Sequence, residues 1–423
     1  MSTPLAAIAS SRSGTATLLE DLMRTRAQTA ALCEPLSPED CVVQSAPETS
    51  PAKWHLAHTT WFFETFVLLP FVDGYKPFHP DFGFLFNSYY ESVGSFYSRK
   101  ERGLLTRPTF PEILDYRHYV NQQLERLLSD PGHKSASEIT ARCTLGLNHE
   151  QQHQELLLTD IKHLFSRNPL HPVYRERPED ATSAGTPIEW LAFPAGVYES
   201  GYTGNAFAFD NELPRHREYL DAYRIASRPV STGEYMEFMN DNGYSTPTLW
   251  LSDGWQTVRE HDWQAPLYWE QRDNQWWHMT LSGMRAVNRS EPVCHVSYYE
   301  ADAFARWSGK RLPTETEWEI AAAEYRVDGN FMEDGRLHPR APGNEAAFFG
   351  NVWEWTSSAY SPYPGYKASA GALGEYNGKF MISQQVLRGG SCVTPRSHIR
   401  TSYRNFFYPH ERWQFKGLRL ADR

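Results

Sequence analysis

Apolar residues follow two different rhythms along this chain. Up to about residue 165 they recur at steps of three and four, the spacing of helices that bury one face. Residues 15–32 carry leucine and alanine in that pattern. Pro51 opens a second helix in its first turn, with Ser50 as N-cap, running to about Leu69. A third spans residues 111–128, with Ile113, Leu114, Tyr116, Tyr119, Val120, Leu124, Leu127 and Leu128 as its apolar positions. In the fourth, residues 137–165, Ile139, Cys143, Gly146, His149, His153, Leu157 and Leu164 form the inward stripe. Four such helices predict a four-helix bundle over residues 1–175, where metal sites form from inward side chains on facing helices. The loop from Phe71 to Pro111 is long and dense in Tyr, Phe and Arg, which marks it as functional.

Between residues 167 and 187 the composition turns to Pro, Arg, Glu, Ser and Gly, a linker. Beyond it, short aromatic strands such as 189–193 and 197–200 alternate with Gly and Pro turns, and helical segments appear near 231–240 and 298–308. The expected architecture is therefore multidomain, α followed by α+β, with the second domain over residues 186–423. No internal repeat or low-complexity tract interrupts it.

Two histidines in the fourth helix's stripe change the picture from fold to chemistry. His149 and His153 stand four apart in LNHEQQHQELLLTD, so they project from one helical face and can share one metal ion. Buried imidazoles without a partner cost free energy, which favours a ligand role over simple packing. Gly146, one turn earlier, is read as leaving room for a ligand. H-E-x-x-H on a helix is also the zinc-protease pattern, with Glu150 as general base, so the third ligand must decide between them. On helix two, SPAKWHLAH offers His55 and His58, and periodicity alone does not separate them.

Charge and cysteine content narrow the field. A net charge of −10 disfavours a nucleic-acid partner. No run approaches a membrane span, and Leu5 to Ala9 is too short for a secretory signal, so a cytoplasmic protein is expected. The 5 cysteines are scattered without a CxxC, which suits a reducing compartment and argues against a disulfide frame.

Taken in order, SPAKWHLAH, HEQQH, RLPTETEWEIAA (residues 311–322), GNVWEWT (350–356) and VLRGGS (386–391) resemble the ergothioneine-biosynthesis sulfoxide synthases, the hercynine oxygenases. The resemblance covers nearly the whole chain. It implies a DinB-like helical bundle joined to a formylglycine-generating-enzyme-like domain of C-type-lectin type. It also implies one non-haem Fe(2+) held by His58, His149 and His153, with His55 supporting. Three imidazoles leave positions for a thiolate, the imidazole of hercynine (trimethylhistidine) and O2. The implied product carries a C–S bond at imidazole C2 and a sulfoxide.

By the same resemblance Gln152 contacts the substrate imidazole, and Asn405 the hercynine carboxylate. Phe406, Trp413 and Phe415 are placed to face the trimethylammonium group, since quaternary amines favour aromatic faces. Arg99 and Arg102 resemble arginines that meet the thiol substrate's carboxylate. Tyr89 and Tyr90 are the preferred proton donors, with Tyr360, Tyr363, Tyr366 and Tyr376 competing. Members using γ-glutamylcysteine carry an aspartate and an arginine where this chain has Phe407 and Glu411, so free cysteine is the expected sulfur donor.

Three rival readings compete with this one. A formylglycine-generating oxidase needs a close pair of reactive cysteines near RGGS, and only Cys392 stands there. An ovothiol-type synthase joins cysteine to C5 of histidine; its typical members carry a methyltransferase domain, for which no residues remain after Arg423. A third reading is a metal- or thiol-binding bundle without turnover.

Overall fold

The computed structural model describes residues 14–130, 132–178, 185–343, 346–369 and 371–423. Residues 5–9 and part of the expected linker lie outside these. The N-terminal part contains four long helices, α1 (Gly14–Ala31), α2 (Ala52–Phe63), α3 (Phe110–Leu128) and α4 (Ala136–Arg167). α2 lies at the centre, packed on both α3 and α4, while α1 packs on α4 and α3. All twelve residues of α2 are buried, so its pattern is apolar all round rather than amphipathic.

Ser50 does not cap α2. Its backbone N–H is donated to Asp160 (2.8 Å), its Oγ accepts from Arg102 (2.9 Å), and the boundary residue is Pro51. At the other end α2 passes into a π-helical turn, Glu64–Leu68, rather than running straight to Leu69. The buried Glu64 carboxylate explains that widening: it accepts hydrogen bonds from Tyr75 and Tyr116 (both 2.7 Å) and from the Phe78 N–H (3.1 Å). α3 begins with a full capping box between Thr109 and Glu112.

The rest is α+β, as its short strands predict. Its main sheet is made of β1 (Trp353–Ala359), β2 (Gln385–Arg388), β3 (Asn405–Phe407) and β4 (Lys416–Leu418), in the order β3-β2-β1-β4. Only the β1–β4 pair is parallel. A three-stranded antiparallel sheet of Trp269–Arg272, Gln275–Thr280 and Gly283–Ala286 stands apart from it. Helices α5 (Thr232–Asn240), α6 (Tyr298–Trp307) and α7 (Glu315–Ala322) each start with a Ser or Thr capping box. The motif residues lock this domain internally: Glu315 of α7 pairs with Arg388 and Arg404, and Glu354 of β1 with Arg419 (2.7–2.9 Å), all buried.

The two parts meet along one face of α4. Glu155 accepts from Trp353 Nε1, Ser391 and Thr394 of the second domain (2.6–2.9 Å), and Thr159 donates to Gln414 (2.6 Å). This face runs directly beside His149 and His153.

Candidate metal centre

His58, on α2, meets His149 and His153, on α4, and one nitrogen from each lies within 4.8 Å of the others. All three rings are buried, with centroids 4.6–5.0 Å apart. Burial holds each imidazole below its ordinary pKa, His149 at about 3, so all three are neutral at pH 7 with lone pairs available.

Neighbouring groups choose which nitrogen carries the hydrogen. His58 Nδ1–H donates to the Phe86 carbonyl (2.6 Å), which leaves Nε2 to coordinate. On the other side a chain runs through His55. Its Nε2–H donates to Asp160 (3.0 Å), so its Nδ1 can only accept, and it takes the Nδ1–H of His153 (2.8 Å). That fixes His153 Nε2 as the free donor atom. His55 thus orients a ligand, the arrangement by which imidazole ligands are held in metal sites. His149 forms no hydrogen bond through the protein, and its Nδ1 is fully buried, an orphan that a bound ion would satisfy. Three neutral imidazoles, two of them with the coordinating nitrogen fixed by hydrogen bonds, suit a divalent transition ion such as Fe(2+).

Glu150 is not part of this centre. Its carboxylate points the other way, between Arg26 (3.0 Å), Arg117 and Thr29 (2.7 Å), and these cations hold it ionised although burial opposes that. A general base facing a metal-bound water is therefore excluded, and with it the zinc-protease reading. Gly146 also has another purpose than the one expected. A Cβ there would stand 2.4 Å from Phe63 and 3.1 Å from Phe62, so the glycine lets α4 approach α2. Room for a ligand is not what it supplies.

A cavity of about 480 Å³ opens beside His149 and His153. Gln152, Arg99, Arg102, Asn405, Phe406 and Trp413 line it, drawn from both domains. Phe415 does not. Its ring is fully buried against His295 and under the Lys162 ammonium, because the irregular chain between Trp413 and β4 turns it away. Of the Tyr-Tyr pair, Tyr89 lines the cavity while Tyr90 is fully buried behind it, stacked on Tyr89 and packed on Trp61 and Phe66. Among the competing phenols Tyr376 lines the cavity; Tyr360, Tyr363 and Tyr366 do not. The Tyr376 ring stands 5.5 Å from His149, and its Oη donates to Gln152 Oε1. Gln152 Nε2 in turn donates to Tyr403 Oη (2.7 Å). Burial raises the pKa of Tyr376, and of Tyr89 to about 12, so both phenols keep their protons at neutral pH.

Sequence reasoning missed Trp54, Asp160 and Tyr403. Trp54 stacks on His58 (4.6 Å, 10°) and under the Arg102 guanidinium (3.3 Å). Asp160 lies seven residues after His153, two turns along the same face, and that spacing was a usable signal. Tyr403 is far in sequence and carried none.

Charged groups at the cavity are incompletely paired. Arg102 is 3% exposed, yet no carboxylate among the described residues lies within ion-pair distance of it. Glu411 lines the cavity, and its Oε2 accepts from the Tyr408 N–H (3.1 Å), while Oε1 has no hydrogen-bond donor among the described residues. Cys392 is fully buried and burial raises its thiol pKa, the state of an inert cysteine rather than a reactive one.

A DinB-like bundle with a three-imidazole centre, closed by a domain of the sulfatase-modifying-factor type, defines the class. The DinB superfamily model matches residues 21–157, and the sulfatase-modifying factor enzyme 1-like domain matches 176–345 and 346–423. The hercynine oxygenase of Mycolicibacterium smegmatis is 30% identical over 438 residues, covering 96% of this chain and 98% of that protein. The hercynine oxygenase of Mycobacterium tuberculosis is 31% identical over 65% of this chain and 70% of its own. Ergothioneine biosynthesis protein 1 of Schizosaccharomyces pombe is 26% identical over 59% of this chain and 33% of its own. The chain belongs to the hercynine oxygenase family, a family of oxidoreductases. No helix among the described residues is long and apolar enough to cross a membrane.

Proposed function

We propose that this enzyme is an iron(II)- and O2-dependent sulfoxide synthase that joins cysteine to C2 of hercynine, within ergothioneine biosynthesis. The reading rests on one observation above all: three oriented, neutral imidazoles converge beside a cavity lined by both domains. Iron(II) bound there supplies one-electron redox chemistry and open coordination positions that no side chain offers. The stoichiometry closes on one O2. Forming the C–S bond removes the C2 and thiol hydrogens, one oxygen atom goes to sulfur, and the other leaves as water.

The chain's own residues position the two substrates. Arg102, buried without a carboxylate partner, and Arg99 receive the carboxylate of cysteine. Glu411 Oε1 accepts its ammonium group. These charges match an α-amino acid: with Arg99 and Arg102 both on the cysteine carboxylate, no further cation among the described cavity-lining residues remains for the distal carboxylate of a γ-glutamyl dipeptide. Asn405 and Gln152 hold hercynine by its carboxylate and imidazole, and Phe406 and Trp413 give aromatic surface to its quaternary amine. Tyr376, packed on His149 and bonded to Gln152, is the phenol best placed to deliver a proton.

The test is turnover of the iron-loaded enzyme with hercynine, O2 and either cysteine or γ-glutamylcysteine. The product is analysed by mass and by NMR. A C2-linked sulfoxide, with kcat/KM favouring cysteine, is expected. Absence of oxygen uptake, a C5 linkage or preference for the dipeptide contradicts the reading.

A further inference from the structure

A second group of metal-ligand side chains lies in the second domain and shares no residue with the first centre. We propose that His278, Glu291 and His338 form a second divalent-cation site, selective for a transition ion of the zinc type. One donor atom from each lies within 4.8 Å of the others. His338 Nε2 is hydrogen-bonded to Glu291 Oε2 (3.0 Å) through a proton that a bound ion would displace, and the two imidazole rings meet edge to face at 5.0 Å. A tetrahedral ion with bonds of about 2.1 Å holds its ligand atoms roughly 3.4 Å apart, so small side-chain movements suffice. Three protein ligands leave a fourth position for water, and the half-buried His278 side gives access to it.

The three ligands come from separate elements whose backbones are pinned. His278 lies within the strand Gln275–Thr280, paired on both sides. The Glu291 carbonyl accepts the first N–H of α5, from Thr232 (2.7 Å). The His338 carbonyl accepts from Asn330 Nδ2 (2.8 Å), and the preceding Leu337 is held at φ 51°, a conformation uncommon for leucine. The carboxylate is oriented as well: Arg336 takes Glu291 Oε1 (3.1 Å), leaving Oε2 toward the imidazoles. Such outer hydrogen bonds are how metal-ligating carboxylates are held. Two nitrogens and a single carboxylate, with Arg336 beside it, disfavour Ca2+ and Mg2+, which require several oxygen ligands.

The full-length protein, stripped of metal, is titrated anaerobically with Co2+ alone. Wild type is expected to bind two equivalents per chain. His149→Gln/His153→Gln should retain one, with the intense visible absorption of a tetrahedral ion, and His278→Gln/His338→Gln should lose that one while keeping the first. Binding of a single equivalent by wild type, or an unchanged tetrahedral signal in His278→Gln/His338→Gln, overturns the proposal. Unaltered crystals grown with Zn2+ give a reading free of folding effects in the variants. An anomalous peak within ligand distance of all three side chains supports the site, and a peak at the first centre without one here overturns it.

Discussion

At the scale of single residues, tautomers decide which ring nitrogens of His58 and His153 are left to coordinate. Asp160 reaches the proposed iron site through two imidazoles, so Asp160→Ala should weaken Fe(2+) binding about 10- to 100-fold while leaving His58, His149 and His153 in place. Anaerobic titration measures this, and unchanged affinity would show the His55 chain to be incidental. For Tyr376, loss of a positioned acid costs on the order of 100-fold in rate. Tyr376→Phe should therefore lower kcat far more than Tyr89→Phe under saturating substrates, and the reverse order would restore Tyr89 as donor. A pH effect follows from the neutral histidines. His58, His149 and His153 titrate below their ordinary range in the fold, whereas an unfolded histidine takes a proton near pH 6.5. Below that pH the unfolded chain binds more protons, so stability falls as pH drops, toward about 3 for His149, by roughly 1 kcal/mol per histidine per unit. The urea midpoint of metal-free protein should thus decline between pH 7 and 5.5. A flat profile would mean that these rings are hydrated. Sequence alone singled out His149 and His153, because spacing on a helix is a local property. His58 was told from His55 only by the family resemblance, since every position of α2 is buried and no polar face distinguishes one from the other.

At the scale of elements, the metal centre depends on how closely α2 and α4 approach. Gly146 sets that approach: a methyl group there meets the edge of the fully buried Phe63 ring. Gly146→Ala gains up to about 1 kcal/mol of helix propensity. Overpacking costs typically 1–3 kcal/mol and outweighs it. The variant should melt lower and load less iron, by calorimetry and elemental analysis. Normal loading would show that the helices tolerate separation. The same element explains why Glu150 reads misleadingly. The HExxH spacing sets Glu150 about 80° round the helix from the histidine pair, near enough to serve a metal-bound water, but here its carboxylate is drawn away by Arg26 and Arg117 of two other helices, which neutralise it. A sequence pattern reports which face a residue occupies and is silent on what that face meets. The four helices were legible from period alone; the π-turn at Glu64 was not, because its cause is three hydrogen bonds from residues 75, 78 and 116.

At the scale of the whole molecule, the bundle supplies the three converging imidazoles, while the second domain lines the cavity with Asn405, Phe406, Trp413, Glu411 and Tyr376. The contacts that bring these together span hundreds of residues in sequence, such as Glu155 with Trp353 and Ser391. No periodicity encodes them, which is why Phe415 was expected at the cavity and is found in the core. The shared claim beneath every step is that one ion is held jointly by helices α2 and α4, at the seam between domains. Diffraction at the iron absorption edge from crystals grown anaerobically with Fe(2+) tests it most directly. An anomalous peak at ligand distance from His58 Nε2, His153 Nε2 and a ring nitrogen of His149, facing the cavity, is the predicted result. A peak coordinated without His58, or no peak among the three imidazoles, would contradict the account.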